Sequence, residues 1–178
     1  MKILAIAATN HKDSINKRLL DFTGSILKDH IPDADIELLD LVEYELPLYR
    51  QDREKDDGVP EKAQEFFSKI GLSDAVIISF AEHNGAFTAV YKNLFDWTSR
   101  IDQKVYQDKP MIVMSATPGP RGGAGVLGAI EFGAPYFGVN IQAKVSVPEF
   151  QDNFDFGTGQ ITDDKIKDEI HEAIKTLI

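Results

Sequence analysis

A chain of 178 residues, of which 43% are hydrophobic, with a mean hydropathy of -0.22, can bury one continuous core and is too apolar to stay disordered. Cysteine is absent, which excludes disulfides, thiolate metal sites and cysteine nucleophiles. The net charge of -10 repels phosphodiester backbones and argues against a nucleic-acid partner, yet leaves room for an anionic cofactor held by amides at a helix start. The opening stretch, MKILAIAATN, is too short in apolar residues for a signal h-region. No apolar run approaches the roughly 20 residues that span a bilayer. The expectation is a cytoplasmic protein with no membrane partner.

In chain order, the first apolar segment is Lys2–Ala7, which reads as a strand. A polar loop follows and runs into a helix from Ser14 to about Asp29, with Ile15, Leu19, Phe22 and Ile26 on one face. Asp35–Leu39 is the second strand, and the charged stretch Arg50–Gly58 reads as a solvated excursion. Pro60 precedes a helix that runs to about Ile70, and Ala75–Phe80 is the third strand. Phe87, Val90, Leu94, Trp97 and Ile101 step by three and four along the next helix. Met111–Ala116 is the fourth strand, Gly122–Phe137 a glycine- and alanine-rich helix, and Ile141–Val147 the fifth strand. The last helix begins after Thr162 as N-cap, with Asp163 and Asp164 in its first turn and Ile166, Ile170, Ala173 and Leu177 as its stripe.

Most of these strands lack a polar alternation, as expected of strands buried on both faces of a parallel sheet. Strict β-α alternation without a repeat or linker predicts one α/β domain over residues 1–178, a doubly wound sheet with helices on both faces. Five strands of this kind suggest the flavodoxin-like order 2-1-3-4-5. The ligand crevice then lies at the switch point beside the first strand.

In that fold the loops after the first, third and fourth strands share one sheet edge. Ala8–Asn16 offers hydroxyls at Thr9 and Ser14, the amide of Asn16, and the free amides of a helix start, with His11, Lys12 and Lys17 adding charge. The plainer alternative for Ser14 is an N-cap. Ala81–Gly85 offers the polar side chains of Glu82, His83 and Asn84, with Gly85 permitting close approach; the alternative is an ordinary exposed loop. Ser115–Gly123, with two prolines and three glycines, is a stiff turn whose backbone can approach a ligand. Neither G-x-G-x-x-G nor G-x-x-x-x-G-K-[ST] occurs in the first loop, which disfavours a dinucleotide or NTPase site there. One loop suited to a phosphate and two suited to a flat polar ring describe a mononucleotide site.

These loops carry a resemblance. The chain is similar to the NADPH-dependent FMN reductase family, flavodoxin-like flavoenzymes that include azoreductase-, quinone reductase- and chromate reductase-like members. The family's G-S-x-R-x-x-S-x-N appears as Ala8–Asn16. Its P-E-Y-N-G-S followed by L-K-N-x-x-D-W appears as Ala81–Ala86 and Tyr91–Trp97, and its S-x-x-x-G-x-x-G-G as Ser115–Gly123. The resemblance implies an FMN whose phosphate is held by Thr9, His11, Ser14 and Asn16. Ala81, Glu82, His83, Asn84 and Gly85 would line the ring, and Ser115, Thr117, Gly119 and Gly122 would meet its far side. NADPH or NADH would reduce the flavin and a small-molecule electron acceptor would reoxidise it, in ping-pong turnover, with no catalytic side chain required. His11 stands where the family has a phosphate-binding arginine and His83 where it has a tyrosine; Ala8 and Ala81 replace a glycine and a proline. A homodimer or homotetramer is also implied, with Tyr91 and Phe95 offering contact surface or, alternatively, covering core.

Rival readings fit less well. A non-enzymatic flavodoxin-like electron carrier would carry T-x-T-G-x-T in the first loop. A receiver domain needs an acidic pair after the first strand, where this chain has Ala7-Ala8-Thr9. The four histidines (His11, His30, His83 and His171) show no ligand spacing, so no metal is expected.

Overall fold

The computed structural model describes residues 1–178. Its main sheet is built from β1 (Lys2–Ala8), β2 (Asp35–Asp40), β3 (Ala75–Phe80), β6 (Pro110–Ala116) and β7 (Asn140–Val147). Two short antiparallel hairpins pair β4 (Glu82–His83) with β5 (Ala86–Phe87), and β8 (Phe154–Asp155) with β9 (Gln160–Ile161). The helices are α1 (Ile15–His30), α2 (Gln51–Asp57), α3 (Glu61–Leu72), α4 (Ala89–Thr98), α5 (Ala124–Phe137) and α6 (Asp164–Lys175). The sheet runs β2-β1-β3-β6-β7, all parallel, which is the expected order 2-1-3-4-5. Every residue of β3 is buried, as a central parallel strand requires.

Alternate side chains of the sheet feed two cores. On one side Leu4, Ile6, Val76, Ile78, Met111 and Val113 meet Phe66 of α3, Trp97 of α4 and Val126 of α5. On the other, Ile3, Ala5, Ile77 and Ile112 meet Leu19 and Phe22 of α1 and Ile170 of α6. No helix is long and apolar enough to cross a membrane.

Several expectations change. Arg50–Gly58 contains α2, which buries no residue and so left no apolar period to read. Asn93 and Trp97 pin the chain just before it. The Tyr49 amide donates to Asn93 Oδ1 at 2.9 Å, and Trp97 Nε1 donates to the Pro47 carbonyl at 2.7 Å. Phe87 belongs to the β4–β5 hairpin, while Ile101 and Leu177 lie beyond the ends of α4 and α6. The α6 N-cap is Asp163, not Thr162, because Asp163 Oδ1 accepts from the Ile166 amide at 2.9 Å. Tyr91 and Phe95 are core residues, and the Tyr91 hydroxyl lies 2.7 Å from that of Tyr106. They offer no contact surface to another subunit.

Candidate functional site

At the carboxyl edge of the sheet a cleft of about 860 Å³ is lined from the loops after β1, β3 and β6. The three loops converge because Asn16 ties them. Its Oδ1 accepts from Ser79 Oγ and from the Ala116 amide, both at 2.8 Å, and its Nδ2 donates to the Ala116 carbonyl at 3.0 Å. Asn16 is 2% exposed. One side chain thus joins the first turn of α1 to the ends of β3 and β6. Thr88 adds a second tie: it caps α4, and its hydroxyl donates to the Ala8 carbonyl at 3.0 Å.

The first wall is the start of α1. Ser14 is its N-cap: Oγ accepts from the Asn16 amide at 3.1 Å, and its carbonyl accepts from the Arg18 amide at 3.2 Å. The amides of Ile15 and Lys17 have no acceptor in the protein. Open amides at the positive end of a 16-residue helix are an anion cradle. Thr9, His11, Ser14 and Asn16 all line the cleft. Thr9 is spent in part on its own loop, its Oγ1 accepting from the His11 amide at 3.2 Å. Lys17 does not contribute charge here, because its Nζ donates to Asp40 Oδ2 at 2.6 Å. That bond raises the Lys17 pKa. Burial pushes the Asp40 carboxyl up, and the bonds from Lys17 and the Val42 amide outweigh it and hold the group below its ordinary range. The cation the sequence reading missed is Arg121, exposed on the opposite wall, with Asp13 as an opposing carboxylate.

The second wall is the β4–β5 hairpin. Asn84 and Gly85 occupy its two turn positions with φ of 54° and 77°, the pattern of an Asn-Gly two-residue turn. That dipeptide was a hairpin signal the sequence reading left unused. Glu82 Oε2 accepts from the Val126 amide at 2.9 Å, so this carboxylate caps the first turn of α5 from another loop. Gly125 is required there, since a Cβ would meet the Gly85 carbonyl oxygen at 2.5 Å. Ala81, Glu82 and His83 line the cleft, whereas Asn84 and Gly85 sit at the exposed hairpin tip outside its lining.

The third wall carries Thr117 and Gly119, with Ala116, Pro118 and Pro120. Thr117 Oγ1 donates to the Gly119 carbonyl at 3.1 Å, and the Phe150 amide donates to the Thr117 carbonyl at 3.0 Å. The latter bond anchors the segment that brings Gln151 into the cleft, a residue no sequence motif marked. Ser115 and Gly122 depart from expectation and lie beneath the wall. Ser115 is fully buried and its Oγ donates to the Phe80 carbonyl at 2.7 Å. Gly122 accepts from Ser146 Oγ at 2.8 Å and has φ of 54°. Both shape the turn instead of facing the cleft.

The family model described as NADPH-dependent FMN reductase matches residues 1–147. An NADPH:quinone oxidoreductase of Arabidopsis thaliana is 28% identical to this chain, covering 99% of it and 90% of its own length. An NAD(P)H-dependent FMN reductase of Pseudomonas aeruginosa is 27% identical, covering 99% of this chain and 93% of its own. In fold, the chain resembles an FMN-dependent NADH-azoreductase of Bacillus anthracis solved with FMN. Their TM-score is 0.73, with 14% identity and all of both chains covered.

Proposed function

This chain belongs to the NADPH-dependent FMN reductase family, and from that premise we propose that its cleft holds FMN and passes electrons from NAD(P)H to a small quinone- or azo-type acceptor. The observation that carries this is the convergence of three loops on one cleft that begins at the open amides of α1. Those amides suit a phosphate, and the part of the cleft lined by the hairpin and the Thr117–Pro120 turn suits a ring system. When bound, FMN would supply two-electron hydride chemistry.

The chain's own residues bind and orient. The amides of Ile15 and Lys17, with the Ser14 and Thr9 hydroxyls, hold the phosphate, and His11 and Arg121 add charge from the two walls. Lacking the guanidinium fork of its relatives' motif, the His11 position cannot grip a phosphate bidentately. Ala81, Glu82, His83 and Gly119 line the ring. Asn16, Ser115 and Glu82 fix the spacing between the walls. Nicotinamide and acceptor would use the same open face in turn, giving ping-pong turnover in an oligomer, and the carrier reading gives way to that of an enzyme.

Anaerobic NADPH should bleach the FMN-loaded protein, and a quinone mixed in after NADP⁺ removal should restore the oxidised spectrum at a rate independent of NADPH. A flavin that stays oxidised with both NADPH and NADH would refute the proposal. A quinone reaction that occurs only with the nicotinamide still bound would refute its ping-pong part.

A further inference from the structure

We propose that Asn84 is a site of spontaneous deamidation, and that its isoaspartyl product unseats the β4–β5 hairpin from the wall of the cleft. The chemistry stands on the hairpin alone. Its consequence for FMN rests on the function proposed above.

The reaction needs an asparagine side chain and the backbone amide of the residue after it. That nitrogen, once solvent base takes its proton, attacks the asparagine Cγ. The new C–N bond closes a succinimide, and the Cγ–Nδ2 bond breaks with release of ammonia. Water then opens the ring at either carbonyl to leave aspartate or isoaspartate, so nothing is oxidised or reduced. Glycine in the second position favours closure, because it has no side chain to shield its amide and the widest choice of φ and ψ. Of the chain's six asparagines, only Asn84 is followed by glycine. Asn84 and Gly85 are both exposed, and the Gly85 amide has no acceptor in the protein. Asn16, Asn93, Asn140 and Asn153 have their side chains held in hydrogen bonds, and Asn10 precedes His11. Asp57–Gly58 could close the same ring with loss of water, but the Gly58 amide is occupied, donating to the Glu54 carbonyl at 2.9 Å.

The hairpin permits the reaction. Its strands are two residues each, and the pair closing the turn is His83 with Ala86. A ladder this short, with an exposed tip, opens locally at small cost. Opening frees ψ of Asn84 to bring the Gly85 nitrogen onto Cγ. The isoaspartyl product does not fit back. It carries the main chain through the former side-chain methylene, so a turn built for two residues gains a backbone carbon and loses its match to the strands. The Gly85 carbonyl oxygen packs so tightly on α5 that a Cβ on Gly125 would lie 2.5 Å from it. From the same hairpin Glu82 caps Val126 at 2.9 Å. A lengthened turn displaces both contacts, and with them Glu82 and His83, which line the cleft. The aspartyl product keeps the backbone and adds one negative charge at an exposed tip. Isoaspartate is therefore the form that disturbs the wall.

Ageing the full-length apoprotein in mildly alkaline buffer, followed by tryptic peptide mapping, tests the chemistry without any cofactor. Trypsin releases the turn within the peptide Ile70–Lys92. With time this peptide should divide into asparaginyl, aspartyl and isoaspartyl forms, the last identified by enzymatic methylation of isoaspartate. Peptides holding the other asparagines and Asp57–Gly58 should stay unchanged. Asn84→Gly, which keeps a turn of positive φ, should abolish the isoaspartate signal. A folded protein whose Ile70–Lys92 peptide stays intact while the urea-unfolded chain deamidates overturns the proposal, as does modification of the other asparagines at the same rate. The deamidated fraction, separated by anion exchange, should bind FMN several-fold more weakly than fresh protein. Asn84→Asp, which adds the charge without the extra backbone carbon, should lose much less. Undiminished affinity in the deamidated fraction, or an equal loss in Asn84→Asp, overturns the effect on the cleft. Fresh protein that fails to bind FMN refutes the function proposed above instead, and the peptide map still decides the modification.

Discussion

Replacing Asn16 tests how the cleft is built. Asn16→Ala removes three buried hydrogen bonds and leaves the Ala116 amide, the Ala116 carbonyl and the Ser79 hydroxyl without their partner. Each stranded neutral group costs about 1–3 kcal/mol. Ala116 borders the cleft, so water can reach part of the gap, which places the expected loss near 3 kcal/mol. For a chain of this size that is a fall of roughly 6–12 °C in melting temperature, or a lower urea midpoint at unchanged slope. Asn16→Asp separates hydrogen bonding from packing. Its carboxylate still accepts from Ser79 and Ala116 but faces the Ala116 carbonyl without a proton to donate. The folded state therefore favours the protonated acid, its pKa is raised, and the deficit relative to wild type should shrink as pH falls from 8 to 5. Urea melts at several pH values provide the assay. An alanine variant within about 1 kcal/mol of wild type, or an aspartate variant whose deficit ignores pH, would refute the claim that this one side chain joins the walls.

Other consequences are open to measurement. His11→Arg should tighten FMN binding, read by quenching of flavin fluorescence, since it adds a permanent bidentate charge beside the α1 amides; unchanged affinity would place His11 away from the phosphate. Gly123→Ala should cost about 3 kcal/mol, because φ is 75° and the new Cβ would collide with Ser115. Gly24→Ala, in open space within α1, should instead stabilise by about 0.5–1 kcal/mol, and chemical melts would show the opposite signs. The Asp40 carboxyl is held below its ordinary range by Lys17, so its contribution is present above the unfolded pKa and lost as pH falls through the folded one. Lys17→Gln should lose up to about 1 kcal/mol at neutral pH and converge with wild type in acid; a deficit that persists at low pH would contradict the pairing.

The sheet was legible because its inner strands β1, β3 and β6 are buried on both faces, and Ala75–Phe80 shows no polar alternation to confuse with a helix. The site was legible as three loops, because strand order alone brings the ends of β1, β3 and β6 to one edge. Individual roles were less so. Asn16 and Ser115 read as ligand groups, yet both side chains are turned inward to carbonyls and amides of neighbouring strands, a long-range pairing that local sequence does not encode. Asn84 and Gly85 owe their identity to the turn they form, and the Asn-Gly pair was readable as such. Gln151 arrives in the cleft through a backbone bond between Phe150 and Thr117, far apart in the chain.

The measurement closest to the central claim is an amide NMR titration of the apoprotein with FMN. The account predicts that resonances of residues 9–17, 81–87, 116–121 and Gln151 move together with one affinity, while those of α6 and the β8–β9 hairpin stay in place. Shifts confined to one of the three loops, or centred on another face of the molecule, would contradict it.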